Sequence, residues 1–219
     1  MKDLYVLTAD ADAEAFMRSI LTRHGALAIR PISFDIHRFP GRDSGMVKEG
    51  PEIARVLVSK TEYSKLLLLW DHHGSGWESR SADRAVTQIE ERLAGVTWAG
   101  RSSAVVLVPE LEEWLWECLP SIRSHLGLRE AEFSALAEEA AVKLSKPLDR
   151  CKRDLPKELF EIVLYRKSRR RPLPEDFKKL GASADVTRLR TNDRFARLSA
   201  ILQSWFPVAR STQPSLKPN

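Results

Sequence analysis

The sequence predicts an α/β protein: a mostly parallel four-stranded sheet flanked by helices, with a C-terminal helical extension. Short apolar runs alternate with amphipathic segments up to about residue 120, which is the pattern of strands joined by crossover helices. The run at 66–70 is apolar without interruption, as is typical of a parallel strand buried on both faces. Beyond residue 121 the periodicity indicates helices alone. We therefore expect an α/β core at 1–120, a helical extension packed on that core at 121–207, and a disordered tail at 208–219.

The first part of the core is predicted to run strand, helix, strand and loop. Residues 4–8 form a short buried strand, and Asp10 or Asp12 caps the helix after it. Residues 29–37 alternate apolar and polar side chains, as a half-buried strand does. The glycine-rich, polar segment 39–50 is expected to be a loop, and Pro51 suits the first position of the next helix.

The remaining elements follow the apolar strand at 66–70. A long helix is expected at 79–94, and a strand beginning near Ser102 then runs into a helix with Pro109 and Glu110 in its first turn. Further helices are expected at 130–144, 157–165 and 192–206.

Composition excludes several classes of protein. The 219 residues contain 43% hydrophobic and 30% charged residues, and no apolar run approaches the roughly 20 residues that a bilayer helix needs. The N-terminus lacks the apolar core of a signal peptide, so we expect a cytoplasmic protein without a membrane partner. Cys118 and Cys151 lack the spacing of a thiolate metal site. The net charge of +5 permits a nucleic-acid partner without requiring one.

Acidic residues follow three of the predicted strands. Asp10 follows the first, Asp71 and His73 follow the third, and Glu110 and Glu112 follow the fourth. If these strand ends share one edge of the sheet, their carboxylates and the imidazole form a site suited to Mg²⁺ or Mn²⁺, which could activate water for phosphoryl chemistry. The alternatives are that Asp10 only caps a helix and that the histidine pair at 72–73 only packs and hydrogen-bonds.

The densest positive charge lies between residues 166 and 171. It could meet phosphates or an acidic protein surface, although such a run can also be a solvated loop. Aromatic residues are poorly interleaved there, which gives base stacking little support. The candidate nucleic-acid-binding residues are Arg166, Lys167, Arg169, Arg170 and Arg171.

Several segments together resemble a bacterial family encoded in methylation-associated anti-phage defence systems, which is similar to Toprim-like proteins of unknown function. The resemblance spans roughly residues 3–207. The segments that carry it are ADADAEA, RPISFDIHRFPGRDSG, WDHHGSGWE, VPELEEWLW followed by SIRSHLG, KPLDRCKRDLPKELFEIVLYR and FARLSAILQSWFP.

The resemblance implies a Toprim-like, Rossmann-like fold and a metal site. Toprim domains, found in topoisomerases, primases and overcoming-lysogenization-defect nucleases, hold Mg²⁺ with a glutamate after the first strand and an Asp-x-Asp after the third. Asp71 matches the first aspartate of that pair, and Glu112 matches the glutamate of a Pro-x-x-Glu-x-Trp stretch. Two positions depart from the pattern, since Asp10 stands near the place of the first glutamate and His73 replaces the second aspartate. A histidine ligand would shift the metal preference toward Mn²⁺ or another transition metal.

The function so implied is that of a component of a bacterial antiviral defence system, acting as a metal-dependent nuclease or phosphoryl-transfer subunit on DNA or RNA. Asp71, His73 and Glu112 would hold the metal, with Glu110 as the alternative to Glu112, and Asp10 would position water or act as the base. The alternative is a non-catalytic subunit with a degenerate Toprim site that binds other subunits of the same system.

Overall fold

The α/β architecture is confirmed by a four-stranded, all-parallel sheet with the strand order β2-β1-β3-β4. The computed structural model describes residues 1–57 and 62–209, so most of the predicted tail lies outside the described residues. The strands are β1 (Lys2–Thr8), β2 (Phe34–Arg38), β3 (Tyr63–Asp71) and β4 (Ser102–Leu107). Because all four run in the same direction, their carboxyl ends lie along one edge of the sheet.

Alternate side chains of the strands enter two separate cores. Val6 and Leu67 belong to one hydrophobic cluster, whereas their neighbours Leu7 and Leu68 belong to the other. Both faces of the sheet are therefore covered, which explains why β3, one of its two central strands, is apolar at every position from 66 to 70.

Helices on one face of the sheet come mainly from the second half of the chain. This layer contains α1 (Ala11–Ile20) and most of the helical segment, and one buried cluster joins it to the strands from Leu4 to Phe206. Its other helices are α2 (His24–Leu27), α5 (Glu112–Glu117), α6 (Leu119–Leu126), α7 (Glu130–Lys143), α8 (Leu148–Asp154), α9 (Pro156–Ser168), α10 (Pro174–Ser183), α11 (Val186–Leu189) and α12 (Asp193–Trp205).

The opposite face is covered by α3 (Arg42–Leu57) and α4 (Ala82–Leu93), followed by a π-helical turn at Ala94–Trp98. The presence of α3 shows that the loop predicted at 39–50 was wrong from residue 42 onward, and Pro51 lies inside this helix and not at its first position. The glycines serve packing here, since a Cβ at Gly41 or Gly45 would stand 2.6 Å or 2.8 Å from the ring of Phe39. Close approach to a buried aromatic ring therefore explains why glycine stands at these two positions.

The second strand was predicted too long. Only Phe34–Arg38 pairs with β1, while Ile29 forms an isolated antiparallel bridge with Pro207. The alternation of residues 29–33 thus reflects packing of a connecting segment. Within the described residues, no helix is both long and apolar enough to traverse a bilayer.

Candidate functional site

A cleft of about 660 Å³ opens at the carboxyl edge of the sheet. It is lined by residues that follow β1, β2, β3 and β4, and by one lysine of α9. Four of the predicted site residues line it together: Asp10, Asp71, His73 and Glu110. The predicted convergence of the strand ends is therefore seen for these four residues.

Asp71, the last residue of β3, is the most deeply buried carboxyl group of the cleft, with 5% of its surface exposed. Its Oδ1 accepts a hydrogen bond of 3.1 Å from the backbone N–H of Leu111. Burial raises the pKa of Asp71 well above its usual range, and the charges of Asp10, Glu112 and Asp43 raise it further. A cation that enters the cleft would therefore strongly stabilise the ionised form of Asp71.

Asp43 is a site residue that the sequence reasoning missed. It lies in the first turn of α3, lines the cleft, and accepts a hydrogen bond of 2.8 Å at Oδ1 from the backbone N–H of Asp71. Burial and the nearby Asp10 raise the pKa of Asp43. The helix α3 places Asp43 in the cleft, and this segment was predicted to be a loop. The only sequence signal for Asp43 was that it lies in segment 30–45, one of those that resemble the anti-phage defence family.

Lys157, on the first turn of α9, brings a positive charge into the cleft. Its Nζ lies 3.4 Å from Oε1 of Glu110, and Nδ1 of His73 lies 3.5 Å from the same oxygen. Burial by itself would lower the pKa of Lys157, but the charges of Glu112, Glu110 and Asp71 outweigh it and raise that pKa. The lysine therefore acts as a counterion that the protein itself supplies.

Glu112 lies beside the cleft without lining it. Only 4% of its surface is exposed, and burial raises the pKa of its carboxyl group to about 8, although the charge of Lys157 opposes this. Burial thus favours the protonated form of Glu112, and the positive charge of Lys157 favours the ionised form.

Asp10 confirms the capping expectation while also lining the cleft. Its Oδ1 accepts a hydrogen bond of 2.7 Å from the backbone N–H of Ala13, which caps α1. Asp12 lies on the first turn of the same helix, where burial and the charge of Asp10 raise its pKa to about 6. Capping and cleft lining are thus combined in one side chain.

Two arginines stand at the mouth of the cleft. Arg38 ends β2 and Arg42 begins α3, and both are exposed. Arg42 has a positive φ of 52°, a left-handed conformation that costs a residue other than glycine about 1–3 kcal/mol. An acidic floor with arginines at its rim can bind a phosphate group through the rim while the floor holds a cation.

The predicted basic run does not line this cleft. Arg166 and Lys167 end α9, about 14 Å along the helix axis from Lys157 at 1.5 Å per residue. Arg170 instead donates two hydrogen bonds of 2.6 Å to the buried carboxylate of Asp176. Arg166, Arg169 and Arg171 line a separate groove.

The fit of a divalent cation rests on electrostatics. Burial raises the pKa values of several carboxyl groups here, and repulsion between these groups raises them further. A divalent cation relieves that repulsion, and carboxylate oxygens suit Mg²⁺ or Mn²⁺. Over residues 1–57 and 62–209, however, no three His, Cys, Asp or Glu side chains form a ready metal-binding group. The predicted ligands Asp71, His73 and Glu112 are therefore neighbours rather than an assembled ligand set.

Comparison with known proteins leaves the family open. No protein-family model matches the chain, and neither the curated proteins nor the solved structures contain a match. The fold and the cleft define an α/β protein with an acidic pocket at the carboxyl edge of a parallel sheet. Its similarity to Toprim-like proteins stays a prediction from the sequence.

Proposed function

We propose that this chain is a Toprim-like component of a bacterial antiviral defence system and that its acidic cleft hydrolyses phosphodiester bonds with the help of Mg²⁺ or Mn²⁺. The observation that carries the proposal is the meeting of Asp10, Asp71 and Glu110, from the ends of three parallel strands, in one cleft. Ligand sites of open α/β sheets lie at this edge.

Each group of the cleft has a role in the proposed reaction. Asp71 would hold the cation, with His73 and Glu110 or Glu112 as further ligands, and the cation would supply charge neutralisation and a more acidic water. Asp10 would position that water or accept its proton. Arg38 and Arg42 would hold the phosphate at the rim, because one guanidinium group can donate two parallel hydrogen bonds to phosphate oxygens.

The test compares wild-type protein with Asp71→Asn on single- and double-stranded DNA and RNA with Mg²⁺ or Mn²⁺. Asparagine retains an oxygen that can accept the hydrogen bond from Leu111, so the variant should fold while losing the charge. We expect at least a hundredfold loss of cleavage, the scale of about 3 kcal/mol that one electrostatic group contributes to catalysis. The exposed Asp149→Asn on α8 is the matched control and should cleave like wild type. Equal cleavage by Asp71→Asn and wild type would rule out this site.

A second function is favoured by Lys157. Because its ammonium group already offsets the charge of Glu110 and Glu112, the cleft is consistent with a degenerate site in a non-catalytic subunit that binds partner proteins of the same defence system. In that case Lys157 replaces the cation.

A thermal shift with Mn²⁺ separates the two functions. A cation that binds only the folded protein raises the melting temperature by mass action, with a gain of about 2.7 kcal/mol at a hundred times its Kd. The catalytic proposal expects this rise in wild type and its loss in Asp71→Asn, whereas the non-catalytic function expects no rise in either protein.

A further inference from the structure

A second concave surface begins one helical turn from the acidic cleft. Lys157, Glu161 and Tyr165 are spaced four residues apart on α9 and therefore share one face of that helix. Lys157 lines the cleft, while Glu161 and Tyr165 line a groove of about 530 Å³. The charge of Glu161 also reaches Asp12 in the cleft. The two surfaces are therefore separate but lie along the same face of α9.

The groove carries an excess of positive charge. Besides Glu161, its charged residues are Lys143, Arg166, Arg169 and Arg171. In the described part of the chain, the guanidinium groups of Arg166, Arg169 and Arg171 make no salt bridge, in contrast to Arg170, which is held by Asp176. These three cations are free to bind an external anion.

Tyr165 gives the groove an exposed aromatic ring. The residue is 53% exposed, and among the described residues its ring makes no aromatic or cation–π contact. The sequence of the basic run contains few aromatic residues and so gave little reason to expect base stacking. In the structure, however, Tyr165 lies beside Arg166 and Arg169 on the wall of the groove. A flat ring next to phosphate-binding cations is the arrangement by which proteins bind unpaired bases.

Arg169 occupies its position at a conformational cost. It ends α9 with a positive φ of 56°, the left-handed conformation in which glycine is usual. Its backbone N–H donates to the carbonyl oxygen of Tyr165 at 2.8 Å, which fixes the two residues relative to each other. An arginine where glycine would be more stable is consistent with a binding role for its side chain.

We infer that this groove, defined by Tyr165, Arg166, Arg169 and Arg171, binds single-stranded nucleic acid that extends from the acidic cleft, with a base stacked on Tyr165 and phosphates on the arginines. A duplex would not match the groove, because its bases are paired and stacked on one another and leave the tyrosine ring without a partner. The inference deepens the proposed function and rests on it for the identity of the strand.

The test measures binding by fluorescence anisotropy without divalent cations, using single-stranded DNA and RNA of about 12 nucleotides and a duplex of the same sequence. We expect the single strands to bind more tightly than the duplex. Tyr165→Ala should weaken binding by at least about fivefold, the lower end of the effect of one stacked base, and Tyr165→Phe should retain wild-type affinity.

Arg169→Gly separates loss of binding from loss of folding. It should weaken binding and reduce the salt dependence of log Kd by about 0.7, the contribution of one phosphate contact, while its melting temperature equals or exceeds that of wild type. Arg84→Gln removes one charge from an exposed position on α4, away from the groove, and should bind like wild type.

Three results would overturn the inference: wild-type affinity of both Tyr165→Ala and Arg169→Gly, equal binding of duplex and single strand, or equal losses in Tyr165→Phe and Tyr165→Ala. Its failure is distinguishable from failure of the proposed function. Groove-dependent binding without any cleavage would refute only the catalytic proposal, whereas Asp71-dependent cleavage without groove-dependent binding would refute only this inference.

Discussion

The buried carboxyl group of Glu112 makes the stability of this protein fall as pH rises from about 4.5 to about 8, and Glu112→Gln should abolish that contribution. Glutamine has the shape of a protonated glutamate but cannot ionise. Below the ordinary pKa of glutamate, the variant should therefore match wild type. Above it, wild type must either keep a proton on Glu112 or bury a charge there.

The size of the effect follows from the pKa of the group. Glu112 is 4% exposed, and burial raises the pKa of its carboxyl group from 4.5 to about 8 in the folded protein. A carboxyl group with a raised folded pKa contributes stability below its unfolded pKa and loses it as pH rises through the folded pKa. At about 1.4 kcal/mol per pKa unit, wild type should lose about 2–3 kcal/mol between about pH 6 and about pH 9 through this residue.

The assay is urea denaturation of wild type and Glu112→Gln across that pH range in buffer containing a chelator, so that no cation neutralises the cleft. The difference in unfolding free energy between the two proteins should grow with pH in favour of the variant. Glu91→Gln, an exposed position on α4, is the matched control and should follow wild type. Parallel curves for wild type and Glu112→Gln would refute the reasoning.

Three further predictions concern the cleft and the helix packing around it. Lys157→Gln should lower the unfolding free energy by about 1–2 kcal/mol: its partner Glu110 is buried, which increases the loss, but the lysine side chain is 42% exposed, which reduces it. In denaturation curves, Mn²⁺ should restore more stability to this variant than to wild type. Asp10→Ala should be about 1 kcal/mol less stable than Asp10→Asn, because only asparagine keeps the cap of α1; equal melting temperatures would contradict this. Gly181→Ala should lower the unfolding free energy by about 1–3 kcal/mol, because the new Cβ would stand 2.8 Å from the carbonyl oxygen of Phe16. The control is Gly95→Ala, where the new Cβ meets open space and should cause no such clash.

The sequence predicted the sheet well because burial leaves a local signal. The strands predicted at 4–8 and 66–70 lie within β1 and β3. The cap at Asp10 was also readable, since capping involves residues that are adjacent in sequence.

The helix α3 was hidden because its glycines resemble those of a loop. Gly41, just before the helix, and Gly45, within it, leave room for the ring of Phe39, which a Cβ at either position would approach within 3 Å. Because this helix was not predicted, the site residue Asp43 was not predicted either.

By itself, the sequence determined the α/β class and placed acids at the ends of three strands, because apolar periodicity and strand direction are properties of local segments. Only the tertiary structure decided that Lys157, far along the chain, supplies the positive charge among those acids and that Tyr165 faces a groove beside them. The physical reason is that pKa values and clefts depend on distances between groups that are remote in sequence. Those distances are fixed only when the helical layer packs on the sheet.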